Sequence, residues 1–490
     1  MKKSLLFSLF FIILAVFSLP AALITVDSGK ERILINEEVL SGDPAEAAGI
    51  TLKIPSHWGR RLLWDTEYTI GSGKEAESRF SFSAKPVYWG AAEGKAYAYL
   101  RFEIDAYFQA TYAENATALD WDNDIYSKII SEVAERAEIG KGYTETIRIG
   151  DYSPYFPLSF EIEGRSVQYE GDYNEACDYL RDFFHISSAE DEMEVTVELN
   201  GQGDVTNASA RFIGSNEDIF IINTVADDEG EGLYFTYGLE NAETGEWADR
   251  GQNMGIFYFP YQEQESWWHV DLTQVKRLCD YPGSVIPLQM LIDDEEKILY
   301  LAVREREDYS LLVYQLEEKI PVLTQQIPVK RDRPTVILPN TEESADRLEQ
   351  PSFCRMSLED EGILMTWDDN AFSFIARENG QYRCWCSGVF PGDPFPKEQV
   401  CIFNGEKLIL AAYESWDSTN VLLSVYDELG QTYSGRYVHS GQEDVDMGYD
   451  SLRRIAPQGN RPESPQYSAS MSIEDEPVKP LELFFTPNYK

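Results

Sequence analysis

Past residue 290 the sequence alternates between short runs of aliphatic, β-branched and aromatic residues and tight clusters of Gly, Asp, Asn and Glu, a rhythm that antiparallel hairpins satisfy and long helices do not. Asp293–Glu296 reads as a turn, Lys297–Val303 as a strand, Arg304–Asp308 as a turn and Leu311–Leu316 as the next strand. Glu361-Gly362 opens a strand at Ile363–Trp367, Phe372–Ala376 follows, and Glu378-Asn379-Gly380 turns the chain into Tyr382–Cys386. Asn404-Gly405-Glu406 leads into Lys407–Tyr413 in the same way, with Val421–Tyr426 behind it. Ile363 and Leu408 hold equivalent places 45 residues apart, within the period of about 40 to 50 that a four-stranded propeller blade occupies. One such sheet cannot bury both of its apolar faces, and stacking several around an axis does. Asp218–Thr224, Leu233–Tyr237, Ile256–Tyr258 and Trp268–Leu272 read as further blade strands, and the longer step from Ile298 to Ile363 requires an inserted loop over Arg331–Gln350.

The first part of the chain differs. Asp124–Ala137 places Ile125, Ile129, Ile130, Val133, Ala134 and Ala137 on one helical face, and a shorter helix over Tyr173–Phe184 buries Ala176, Tyr179, Leu180, Phe183 and Phe184. Strands are expected around both, at Gly49–Ile54, Leu62–Ile70, Arg79–Ser83, Tyr97–Ala110, Thr144–Ile149 and Glu194–Leu199. Leu481–Phe485 behind the Pro-rich, polar stretch 456–480 reads as a last strand, expected to pair with a strand from residues 48–110 so that no sheet edge stays open.

Leu5–Val26 is an uncharged, mostly apolar run behind Lys2 and Lys3, long enough to cross a bilayer. The positive-inside rule keeps those lysines in the cytoplasm and sends everything after Val26 outward. A cleavable signal peptide is the alternative, but no Ala-x-Ala stands before Asp27, so a retained anchor is the reading here. The expected fold is therefore mainly β: antiparallel β-propeller-like repeats with an N-terminal strand-rich part carrying two helices, behind a single N-terminal transmembrane helix. The expected divisions are 1–26 for the anchor or signal peptide, 27–205 for an α+β part or first blades with helical insertions, 206–455 for the propeller-like repeats, and 456–490 for the linker and closing strand.

Composition narrows the partners. A net charge of −44 over 490 residues repels phosphate backbones, so nucleic acid is not an expected partner. The acidic residues are interspersed with 43% hydrophobic residues, as in a folded and well-solvated body. Membrane contact is expected through residues 5–26 only.

Chemical motifs are sparse. The Trp-Asp dipeptides at Trp64, Trp121, Trp367 and Trp416 lack the Gly-His of a WD-type repeat. Asp120–Asp124 has the alternating carboxylates of a calcium loop but carries Ile125 where a Gly must turn the chain. Six cysteines are too few for a disulfide-built scaffold, and Cys384-Trp385-Cys386 reads as two buried thiols on one strand face, so neither a metal nor a cofactor is expected. The densest aromatic patch, Tyr258-Phe259-Pro260-Tyr261 with Trp267-Trp268-His269, could stack on sugars or peptide side chains, or fill a blade core. Tyr258, Tyr261, Trp267, Trp268 and His269 are the candidate binding residues; no catalytic residue is singled out.

Several blocks, namely Leu40-Ser41-Gly42-Asp43-Pro44, Leu63-Trp64-Asp65-Thr66, Tyr143–Thr146 with Asp151–Ser153 and Tyr155–Ser159, and Val425-Tyr426-Asp427, resemble a group of uncharacterised exported proteins of Gram-positive gut bacteria. That resemblance implies an exported address and a propeller-like fold, and transfers no functional residue. The functional expectation is a non-catalytic binding module on the cell surface that engages an extracellular protein or a glycan. The alternative is an extracellular carbohydrate-active hydrolase using paired carboxylates in an aromatic cleft.

Overall fold

A computed structural model of the chain describes residues 33–58, 62–82, 99–103, 108–109, 124–156, 159–163, 166–189, 191–213, 218–226, 231–241, 244–264, 267–281, 284–332, 354–359, 361–367, 370–389, 399–414, 420–440 and 482–485. The expected N-terminal anchor, most of the 331–350 loop, the 456–480 stretch and the Asp120–Asn123 carboxylates lie outside the described residues. Among the described residues no helix is long and apolar enough to cross a membrane.

Four strands come first: β1 (Leu34–Gly42), β2 (Ile50–Trp58), β3 (Leu62–Thr69) and β4 (Glu77–Phe82). Then follow β5 (Tyr99–Glu103), β6 (Phe108–Gln109), helix α1 (Asp124–Arg136), β7 (Gly142–Arg148), β8 (Ser159–Glu163), β9 (Ser166–Tyr169), helix α2 (Tyr173–Phe184), β10 (Glu192–Leu199) and β11 (Val205–Ile213). Next are β12 (Asp218–Ala226), β13 (Gly232–Asn241), β14 (Ile256–Gln264), β15 (Trp267–Val270), β16 (Lys276–Cys279), β17 (Ile286–Asp293), β18 (Ile298–Glu305), β19 (Asp308–Glu317) and β20 (Ile320–Val329). The remainder holds β21 (Cys354–Glu359), β22 (Gly362–Trp367), β23 (Ala371–Glu378), β24 (Gln381–Val389), β25 (Gln399–Phe403), β26 (Leu408–Tyr413), β27 (Val421–Asp427), β28 (Gly430–Ser440) and β29 (Glu482–Phe485).

The protein is mainly β and its sheets are mainly antiparallel. Strands β17 to β20 and β21 to β24 form consecutive four-stranded meanders, β25 to β28 form another that takes up β1 at its edge, and β2 to β4 take up β29. Turn chemistry sets the hairpins. Asp293 Oδ1 accepts the backbone N–H groups of Glu295 and Glu296 between β17 and β18. Asn379 and Gly380 both have positive φ, 51° and 77°, as the two-residue turn between β23 and β24 requires. Ile298, Ile363 and Leu408 all lie on the second strand of their meander, so the 45-residue spacing marks a real structural repeat.

The apolar runs are continuous because their sheets are covered on both faces. On β26, Leu408, Leu410 and Ala412 pack against Leu364, Phe372 and Phe374. The intervening Ile409 and Ala411 pack against Ile50, Leu52 and Ile54 of β2. Burying a large aliphatic or aromatic side chain contributes about 1.5 to 3 kcal/mol, so each such strand stabilises two layers at once. The same division splits β14: Phe257, Phe259 and Tyr261 face α2, whereas Ile256 and Tyr258 face Leu299, Leu301 and Leu312 of β18 and β19.

Both expected helices form. Ile129, Ile130 and Val133 of α1 pack on Ile147, Met193, Val195 and Val197, and Ala176, Leu180 and Phe184 of α2 pack on Phe235, Tyr237 and Phe257. Tyr179 departs from its expected burial. It is 42% exposed, at the margin of the buried stripe, where its ring stacks on Phe183 at 6.1 Å.

One compact unit contains β1–β4 with β22–β29, the other β5–β20, and β21 spans the division. The two ends of the chain are tied into one unit by Leu34–Gly42 pairing with Tyr433–Ser440 and by Ile50–Lys53 pairing with Glu482–Phe485. The closing strand thus pairs within the expected 48–110 range.

Candidate functional site

Strand alternation decides which aromatic side chains meet solvent. Tyr258 is buried with its ring 5.0 Å from that of Tyr234. Tyr261 and Trp268 are buried too, stacked on one another at 4.5 Å with an interplanar angle of 16°. Three of the five expected binding residues are therefore interior: Tyr261 and Trp268 in the core under α2, and Tyr258 on the other face of β14, against β18 and β19. Trp267 and His269 stand on the opposite face of β15 from Trp268. Trp267 is 49% exposed and His269 is half-buried.

Pairing extends that outward face across three strands. On β14, Gln262 lies opposite His269 and Gln264 opposite Trp267. On β9, running parallel, Gln168 lies opposite His269 and Ser166 opposite Trp267. Gln262 and Gln168 are exposed. Tyr258, two alternations before Gln262 on the same face, is covered by the β17–β20 sheet; by Gln262 that cover has ended. The result is an outward row Gln262–His269–Gln168 with the Trp267 indole beside it. Beyond its edge, Glu231 holds Lys319 Nζ at 2.8 Å, so two described charges there neutralise each other.

A second polar group sits where β1, β3 and β28 meet. Tyr433 and Tyr437 have hydroxyls 3.0 Å apart, and Glu37 accepts hydrogen bonds from Tyr433 at 3.1 Å and Tyr68 at 3.3 Å. Burial pushes the Tyr433 phenol up to about 12 and the Tyr437 phenol further up. His439 is buried with Nε2 3.3 Å from Thr66 Oγ1, which also meets Ser78 Oγ at 2.9 Å. Desolvation holds its imidazole down at about 4, so it is neutral at ordinary pH. With the tyrosines protonated and the histidine neutral, the group ties β1, β3, β4 and β28 together and supplies no activated nucleophile. Sequence reading passes over it because these residues are scattered; Tyr433, Gly435, Tyr437 and His439, alternate positions on one strand face, are the available signal.

Other chemistry is held in structural roles. Asp191 and Glu240 are the buried carboxylates among the described residues. Asp191 binds Arg250 at 2.5 Å, and Glu240 binds Arg304 at 3.0 Å. Cys384 and Cys386 do not share a face as expected. Phe374 pairs with Cys386 and Ile375 with Cys384, so Trp385 is the extra residue of a β-bulge. Trp385 and Cys386 consequently enter the same core, and burial raises both thiols. Among the described residues no group of His, Cys, Asp and Glu could hold a metal ion.

No protein-family model matches the chain, and no curated protein matches it. Among solved structures, a candidate 6-phosphogluconolactonase from Bacteroides fragilis aligns with a TM-score of 0.28 and 9% identity, over 81% of this chain and 100% of that one. The periplasmic gluconolactonase of Pseudomonas aeruginosa aligns with a TM-score of 0.27 and 11% identity, over 79% and 99%. Likeness at this level transfers neither fold nor chemistry, and the architecture rests on the strand pairings above.

Proposed function

We propose that the chain is a β-propeller-like binding module displayed on the outer face of the cell, without turnover chemistry of its own. Recurrent meanders, with two-sided packing at β26 in one unit and at β14 in the other, support the propeller reading. The apolar run Leu5–Val26 behind Lys2 and Lys3 supports the address. The observation that carries the binding role is Trp267, a large aromatic residue 49% exposed on a paired strand, with exposed amides beside it and a packed aromatic core beneath. Folded surfaces tolerate lone apolar residues, but an exposed indole on a strand paired at both edges, with the exposed Gln262 and Gln168 on the same face, is the composition of a recognition surface.

The test is a photo-cross-linking side chain in place of Gln262 in the chain expressed on its own cells. Surface protease should remove the bulk of the protein from intact cells, and illumination should yield a discrete set of cross-linked products. Protection from protease together with a lack of cross-links contradicts the proposal.

A further inference from the structure

The outward face of β9, β15 and β14 also specifies a class of partner, an inference that rests on the binding-module reading. We infer that this face binds a neutral saccharide, with the Trp267 ring as its stacking platform. Trp267 belongs to a strand hydrogen-bonded on both sides, to β14 and to β9. Directly behind it, Trp268 is clamped against Tyr261. The indole is thereby carried on a fixed backbone, so little ordering of that backbone opposes binding.

The flanking chemistry matches a polyol. Gln262 and Gln168 each offer amide donors and an acceptor, and the His269 imidazole offers one more polar edge. Sugar hydroxyls both donate and accept, and the C–H face of a pyranose ring is a flat apolar plane suited to an aromatic one. An apolar protein helix would instead need a run of exposed apolar residues, whereas Trp267 is the exposed large apolar residue of this row.

Charge separates neutral from ionic ligands. The chain carries −44 overall, which disfavours a polyanion. Gln262, Gln168, His269 and Trp267 include no carboxylate, and Glu170, exposed two residues past Gln168 at the end of the same strand face, adds to the charge that disfavours an anionic ligand. A neutral sugar is the ligand that neither property penalises.

The 490-residue chain, purified in mild detergent, is run through native gels containing a neutral β-glucan, α-glucan, mannan or galactan, or the polyanion polygalacturonate. At least one neutral polymer should retard it. Trp267→Ala should weaken that retardation by about tenfold or more in apparent Kd, and Trp267→Tyr should keep most of it. The melting curve of each variant, expected to match the parent, shows that the fold is intact. Retardation by none of the neutral polymers, retardation by polygalacturonate alone, or equal retardation of Trp267→Ala overturns the inference. Cross-links formed from position 262 that persist in Trp267→Ala overturn the saccharide assignment while leaving the binding module standing; their absence in the parent chain removes the module first.

Discussion

His439 Nε2 and Thr66 Oγ1 meet at 3.3 Å in a buried contact that joins β28 to β3. The imidazole, held at about 4 against an ordinary 6.5, takes up its proton more readily once the chain unfolds. Its contribution to stability is complete above about pH 6.5 and is lost as pH falls through 4, by about 3 kcal/mol if the whole shift is expressed. Thermal unfolding between pH 7 and pH 4 should show this decline, and His439→Gln should flatten it. A variant whose pH dependence matches the parent's would place the titration elsewhere.

Gly435 makes room for its neighbour. A Cβ there would lie 2.1 Å from the hydroxyl of Tyr433, which is itself fixed by Tyr437 and Glu37. Gly435→Ala is expected to cost about 1 to 3 kcal/mol by urea denaturation, as overpacking does. Pairing it with Tyr433→Phe should recover part of the loss, because that change removes the oxygen in the way.

Arg304 is 1% exposed and its Nη2 is bound to Glu240 and to the Gly245 carbonyl, while Nε and Nη1 have no hydrogen-bond partner. Removing the counter-charge should therefore hurt more than removing both charges. Glu240→Ala should lose about 3 to 5 kcal/mol, and the double variant Arg304→Met with Glu240→Leu should be the more stable of the two. Equal losses in a denaturant series would show that the pair is not coupled.

Strand β29 shields the edge of β2. Deleting residues 481–490 exposes the N–H and C=O groups of Ile50–Lys53, so the melting temperature should fall and light scattering on heating should rise. Unchanged melting and scattering would mean that the edge is protected some other way.

Much of the strand pattern is legible because β22, β23, β26 and β27 are buried on both sides and bounded by turn formers; Leu408–Ala412 could hardly read as anything else. Strands β1 and β20 escape such a reading, since edge strands such as Leu34–Gly42 and Ile320–Val329 expose most of their side chains and lose the apolar signal. The pairing of residues 34–42 with 433–440 is illegible for a different reason: it is long-range, and no local pattern in either segment encodes its partner. The aromatic patch is visible as composition. Which of its rings are buried depends on the parity of β14 and β15 and on α2 lying across one face, information that lies in tertiary packing. Simple strand alternation, expected to put Cys384 and Cys386 on one face with Trp385 on the other, fails because a bulge adds a residue without marking it in the sequence.

Binding without turnover is tested most directly by a sedimentation experiment. The chain is incubated with insoluble neutral polysaccharide for a day, with bound protein and newly formed reducing ends measured in the same tubes. Saturable co-sedimentation that drops in Trp267→Ala, with reducing ends level with a protein-free control, is the predicted result. Reducing ends that accumulate in proportion to protein and time would contradict it and make the chain a hydrolase.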